Sequence, residues 1–223
     1  SAVKYAEQIE ASALLINLDT TGGLFASTQI IVENILSSRI PVIVFVTPKG
    51  AKAASAGAFI ALSADILAMA PVTNIGAAHP VTSSGDDIEG DMRKKITQDA
   101  KAWARSIAEA KHRNADFAEK AVEESQSISA EQALKLSVID LIAEDIPDLL
   151  QKIENRKVVK SKLPLSLSSA ELILFPMSLA QQIISFLSEP NLLYILLLLG
   201  ILGIFIEFQL PGMIFPALFG GLF

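Results

Sequence analysis

Ser55 is the residue around which chemistry can be built, because it stands in the run Ala53-Ala54-Ser55-Ala56-Gly57. Small neighbours leave room for a substrate carbonyl to approach, and a serine in the first turn of a helix sits near the positive end of the helix dipole. The backbone N–H of Ala56 is then placed to hold an oxyanion. A serine attacks only when a nearby group takes its proton, and the chain offers two such groups. Lys95, with Lys94 beside it, lies forty residues past Ser55. A lysine is a base only when neutral, and bringing an ammonium group from ~10.4 to ~7–8 takes about 4 kcal/mol of burial or like-charge repulsion. His79, in Ala77-Ala78-His79-Pro80, is the rival base. A histidine needs no such shift, but it does need a partner to orient it. Gly22 and Gly23, in Asp19-Thr20-Thr21-Gly22-Gly23, let the backbone turn tightly and point further N–H donors into a cleft. Taken singly, each feature has a plainer reading: a strand-to-helix turn, a tightly packed small-residue helix, two solvated lysines, a structural histidine.

The elements that must bring these residues together are legible from hydrophobic pattern. Ala13–Leu18 and Pro41–Val46 are continuous apolar runs, as expected of buried parallel strands, and Ile66–Ala70 is a third. Val138–Ile142 is a fourth. Helices are expected over Ala2–Glu10, Leu24–Leu36, Ala51–Leu62, Met92–His112, Ala130–Leu136 and Ile146–Glu154. Ser129, with Glu131 and Gln132 after it, caps the fifth of these. Val81–Gly90 has loop composition, and Leu165–Leu174 is a candidate short strand. Strands alternating with helices indicate an α/β domain with a parallel-rich sheet covered on both faces.

Apolar residues make up 51% of the chain and mean hydropathy is +0.47, but the excess is concentrated. From Pro164 onward there is no Lys or Arg, and the only acids are Glu171, Glu189 and Glu207. The expected organisation is a catalytic domain over residues 1–163, a connecting and interfacial segment over 164–190, and a transmembrane region over 191–223. Leu192–Ile206 and Met213–Phe223 would form a membrane hairpin about the Pro211-Gly212 turn. Met177–Leu187, apolar on one face, would lie at the interface or pack on the domain. The start in mid-helix and the end inside an apolar run mark the expectation of a fragment. Net charge is −6 with no basic stripe, which argues against nucleic-acid binding. Cysteine is absent, excluding disulfides, thiolate metal sites and a cysteine nucleophile, and two histidines do not make a zinc site. No cofactor or metal is expected.

Four segments in order, Leu18–Gly23 (LDTTGG), Ile40–Asp65, Met69–Val81 (MAPVTNIGAAHPV) and Ser129–Asp145, resemble the NfeD family of membrane-bound serine proteases, which are related to Clp protease. The resemblance covers residues 11–155. It implies a Clp/crotonase-like spiral of β-β-α units, lacking its first strand or strands, with a C-terminal transmembrane region. It also implies a Ser55–Lys95 dyad, with oxyanion donors at the Gly22-Gly23 turn and Ala56. The family's usual proline before the glycine pair is Thr21 here. His79 lies near the catalytic histidine of Clp-type relatives, but Ser125-Gln126-Ser127 stands where their triad acid is expected, which favours Lys95. By resemblance the substrate is an apolar peptide segment, the partner a stomatin-like (SPFH) membrane protein, and the protein a multi-pass homodimer in the lipid bilayer with an extracytoplasmic protease domain. A catalytically silent scaffold for the stomatin-like protein, a Ser–His peptidase and a crotonase-type acyl-CoA enzyme are the alternatives.

Overall fold

The computed structural model describes residues 2–80, 90–161, 164–167, 170–175 and 190–209. The chain divides into two compact units, Ser1–Leu172 and Ile173–Phe223. In the first, the chain runs α1 (Ala2–Gln8), β1 (Leu14–Leu18), α2 (Phe25–Ser37), β2 (Val42–Val46), β3 (Lys52–Ala54), α3 (Ala56–Leu62), β4 (Ile66–Met69) and β5 (Asn74–Gly76). It continues through α4 (Gly90–Ala110), α5 (Ala115–Glu123), β6 (Ser127–Ser129), α6 (Ala130–Lys135), β7 (Leu141–Ile142) and α7 (Ile146–Ile153).

β1, β2, β4 and β7 form a parallel sheet in the order β1-β2-β4-β7. Side chains alternate between its faces, and both faces are covered. Val42, Val44 and Val46 join Leu18, Val32, Leu67 and Met69 in one core cluster. Ile43 and Phe45 join Ile66, Ala68, Leu149 and Ile153 in the other. This is why β2 reads as an unbroken apolar run.

A smaller sheet has the order β3-β5-β6, with β3 and β5 parallel and β6 antiparallel. Thr20 adds a single parallel rung beside Ala53. Its N–H donates to the Lys52 carbonyl (2.8 Å) and its carbonyl accepts from Ala54 (3.1 Å). The chain therefore repeats one pattern three times: a strand in the larger sheet, a strand or rung in the smaller, then a helix. The repeats are β1–Thr20–α2, β2–β3–α3 and β4–β5–α4. The expected α/β fold of β-β-α units is present.

Several local expectations need correction. Ala51–Leu62 is not one helix: residues 52–54 are β3, whose backbone is satisfied sideways by Thr20 and β5, and the helix starts only at Ala56. No strand forms over the described part of 165–174; Leu165 and Leu167 are buried in the second cluster, while Leu172–Leu174 are exposed. β5, β6 and α5 were not expected. The loop expected at Val81–Gly90 lies outside the described residues apart from Gly90, and the segments Met177–Leu187 and Met213–Phe223 lie outside them altogether. In the second unit, α8 (Pro190–Gln209) is apolar, with Tyr194, Ile195, Leu197, Leu198, Leu199 and Ile201 all exposed. The transmembrane region expected over 191–223 is not shown: among the described residues, no helix is long and apolar enough to cross a membrane.

Candidate active site

Thr20, β3 and β5 run parallel, and neighbouring strands lie about 4.7–4.9 Å apart, so the turns that leave their C-terminal ends lie side by side. Those turns carry Gly22-Gly23, Ser55-Ala56 and Ala77–His79. Sequence separation of more than fifty residues is closed by this one edge.

The first turn is fixed by Thr20, whose Oγ1 accepts from the Gly22 N–H (3.1 Å) and donates to the Gly22 carbonyl (3.0 Å). Gly22 has φ +146°, and a Cβ there would stand 3.0 Å from Ser55 Cβ. Glycine is required both by the backbone angle and by the approach to Ser55. Since the Gly22 N–H is engaged by Thr20, the donors left on this edge are the N–H groups of Gly23 and Ala56. Neither has a hydrogen-bond partner among the described residues.

Ser55 sits between strand and helix with φ +52° and ψ −117°, a sparsely populated conformation for a residue with a side chain, costing on the order of 1–3 kcal/mol. Its N–H is shared between the carbonyls of Gly76 (3.1 Å) and Ala77 (3.2 Å). Its hydroxyl does not cap α3 and makes no hydrogen bond among the described residues. A serine held in a sharp, strained strand-to-helix turn with its hydroxyl left over is the arrangement a nucleophile needs.

The third turn docks on the C-terminal end of α5. The N–H of Ala77 donates to Gln126 (2.8 Å) and that of Ala78 to Ala121 (2.7 Å). His79 Nδ1 lies 3.0 Å from the Val122 carbonyl, one of the last carbonyls of a helix, which have no partner within it. Because a carbonyl only accepts, Nδ1 carries the proton. Nε2 is buried and has no hydrogen-bond partner among the described residues.

Lys95 is in the second turn of α4, exposed, and on one stripe with Asp99 and Trp103 at intervals of four residues. Trp103 stacks on Phe59 of α3 (4.7 Å between rings), and Phe25 of α2 meets both rings edge-on. These three rings tie the helices around a cavity of about 480 Å³ lined by Gly23, Ser55, Ala56, His79, Lys95 and Asp99, with Leu24, Phe25, Phe59 and Ile96 as apolar wall. The structure thus brings Ser55, Lys95, His79, Gly23 and Ala56 to one cleft, and sets Gly22 behind it. It places no hydrogen bond between Ser55 and either base; catalytic contacts are often long before substrate binds. A larger cavity, about 750 Å³ around Asn17, Lys49 and Glu144, contains none of these groups. Among the described residues, no cluster of His, Asp and Glu is suited to a metal ion.

Sequence reasoning missed three contributors. Asp99 was findable, standing one turn after Lys95. The Thr20 hydroxyl and the Val122 carbonyl carried no readable signal, because their roles depend on β3 and α5.

The sequence matches the family profile described as NfeD1b, N-terminal domain, over residues 1–158. It is 39% identical to a membrane-bound protease of Pyrococcus horikoshii over an alignment of 230 positions that covers 99% of this chain and 51% of that protein. The chain spans about half the length of the curated relatives it matches. Among solved structures, it is similar to a membrane-bound stomatin-specific protease, seen as a lysine-to-alanine variant in complex with a substrate peptide (38% identity, TM-score 0.75, 83% of this chain and 87% of that one). A serine-to-alanine variant of that protease matches at 38% identity and TM-score 0.72, over 79% and 87%. ClpP1 from Listeria monocytogenes shares the fold at 22% identity and TM-score 0.51, over 65% and 81%.

Proposed function

This chain belongs to the NfeD family, and from that premise and the cleft's geometry we propose that it is a serine endopeptidase with Ser55 as nucleophile and Lys95 as general base. One observation carries the reading: a strained serine shares a cleft with a lysine and two backbone donors, and neither its hydroxyl nor those donors are engaged among the described residues. The serine and lysine replaced by alanine in the two solved variants of that one protease lie forty-one residues apart there; Ser55 and Lys95 lie forty apart here.

In this mechanism Ser55 Oγ attacks the peptide carbonyl while the Lys95 amine takes its proton. The tetrahedral oxyanion receives hydrogen bonds from the N–H groups of Gly23 and Ala56, with Gly22 and Thr20 fixing the angle of the Gly23 donor. The Lys95 ammonium then protonates the leaving amine and the acyl-enzyme remains on Ser55. Water, deprotonated by Lys95, attacks the ester and releases Ser55. The apolar wall of Leu24, Phe25, Phe59 and Ile96 favours apolar side chains beside the scissile bond. The substrate class is therefore an apolar peptide segment, and the solved relative's specificity points to a stomatin-like membrane protein as its source.

Attachment to a bilayer through the apolar residues 191–223, with the protease domain on the extracytoplasmic side, extends the same reading. α8 exposes apolar side chains over much of its circumference, with Leu192, Leu196, Gly200 and Gly203 on its less exposed face, a broad apolar surface of the kind a bilayer would cover. Self-association as a homodimer belongs to it as well, and sedimentation in detergent measures it directly. The central test is labelling with a fluorophosphonate and cleavage of an apolar peptide. Both should vanish in Ser55→Ala, and Lys95→Ala should retain folding and lose turnover. Undiminished cleavage by Ser55→Ala removes the peptidase assignment.

A further inference from the structure

His79 has no part in the mechanism above, yet one of its ring nitrogens is fixed and the other is buried in the cleft wall without a partner among the described residues. The Val122 carbonyl requires a proton on Nδ1, so in a neutral ring Nε2 offers only a lone pair. A buried acceptor with no donor costs free energy, and where a native structure keeps one beside reacting groups, the missing donor is the thing to identify.

Three donors come to the cleft: the Ser55 hydroxyl, a substrate N–H and the Lys95 amine. If His79 took the Ser55 proton, it would become an imidazolium whose Nδ1–H faces a neutral carbonyl rather than a carboxylate, which is the weaker support. Lys95 is placed differently. It reaches the cleft from α4 on a flexible four-carbon stem, with Asp99 one turn away on the same helix. A neutral lysine amine has two N–H bonds and one lone pair. It attacks the serine proton well only if an N–H is held elsewhere, so that the lone pair turns toward Ser55.

We infer that His79 is a positioning residue: its Nε2 lone pair accepts an N–H from Lys95, aims the amine's lone pair at Ser55, and strengthens as an acceptor when Lys95 takes the proton. This rests on the Ser55–Lys95 reading and adds a role for a ring that the reading leaves idle. The Val122 carbonyl, which sets the tautomer, is the second member of the relay.

The test combines nitrogen NMR of the histidine ring with kinetics on the full chain. In the unliganded protein the His79 ring should show a protonated Nδ1 and a pyridine-type Nε2, and Lys95→Met should move the Nε2 resonance toward that of a free lone pair. His79→Phe, which keeps the ring's volume without the acceptor, should lower kcat on the order of tenfold or more with KM unchanged. His79→Gln, with an amide oxygen in reach, should restore part of it. A protonated Nε2, a resonance indifferent to Lys95→Met, or equal kcat in all three forms overturns the inference while leaving Ser55 and Lys95 in place. Turnover surviving in Lys95→Ala and lost in His79→Phe also overturns it, by making His79 the base. Turnover surviving in Ser55→Ala marks failure of the peptidase reading instead.

Discussion

Gly57→Ala probes whether the Thr20 rung positions the oxyanion donors. A Cβ at position 57 would lie 2.6 Å from Thr20 Cγ2, whereas its next neighbours, Ala53 Cβ and the Thr20 carbonyl, are at an ordinary 3.8 Å. Thr20 must then recede by about 1 Å, and it cannot recede freely. Its Oγ1 holds both the N–H and the carbonyl of Gly22, and its backbone is bonded to β3 on both sides of Ala53. Forcing a methyl into such packing costs about 1–3 kcal/mol, and a displacement near 1 Å at a catalytic donor lowers turnover on the order of 10²-fold. The variant should therefore unfold at lower urea and label slowly with fluorophosphonate, although every reacting group is intact. Thr20→Ser removes the offending methyl and keeps the hydroxyl, so the double variant should recover most of both losses, a coupling that a double-mutant cycle reads directly. Wild-type labelling rate in Gly57→Ala, or a double variant no better than the single one, would refute the claim that the Thr20 rung positions the oxyanion donors.

Further outcomes follow from strain, close packing and charge. Ser55→Gly relieves the positive φ that Ser55→Ala retains, so the glycine variant should be about 1 kcal/mol the more stable of these two inactive proteins in urea unfolding; equal stability would show the turn to be relaxed. Gly76→Ala places a Cβ against the Gln126 carbonyl and Ser127 at φ +133°, separating β5 from β6. It should destabilise the fold by about 3 kcal/mol or more, read as a lowered unfolding midpoint. Lys160, paired with Asp65 at 3.0 Å, is held below its ordinary value of 10.5 chiefly by burial. The unfolded chain then binds more protons between the lowered value and 10.5, so this group's contribution to stability rises with pH across that window. Stability of the wild type relative to Lys160→Met should climb as pH approaches 10.5 from below; a difference that falls there contradicts the burial.

What the sequence made readable follows from which forces act locally. β2 and β4 are buried on both faces and β1 packs half-buried beside β2, so hydrophobicity alone marks them. The caps of α6 and α7 are likewise local: Ser129 accepts from Gln132 in a capping box and Asp145 accepts from Asp148. β3, β5 and β6 are three residues each, too short for any period to show, and exist because each pairs with a neighbour far away in the chain. The run of small residues over 51–58 resembles a packed helix until Thr20 and Ile75 lie beside Ala53. Ser55 and the glycine pair could be singled out by residue type, but the reason they meet could not.

That reason is the smaller sheet. Each β-β-α repeat gives it one residue or three and then turns away, and because the rungs are parallel, every repeat turns away at the same edge. The first delivers a backbone donor at Gly23, the second a nucleophile and donor at Ser55 and Ala56, the third a fixed imidazole at His79. Lys95 instead reaches the cleft from the long helix α4, held there by the stacking of Trp103 on Phe59 two turns further on. The two kinds of support have different stiffness. Hydrogen-bonded turns set the donors to within tenths of an ångström, whereas a lysine on a four-carbon stem needs an acceptor at its far end to be equally well placed. The buried lone pair of His79 is the acceptor that the architecture supplies at that point.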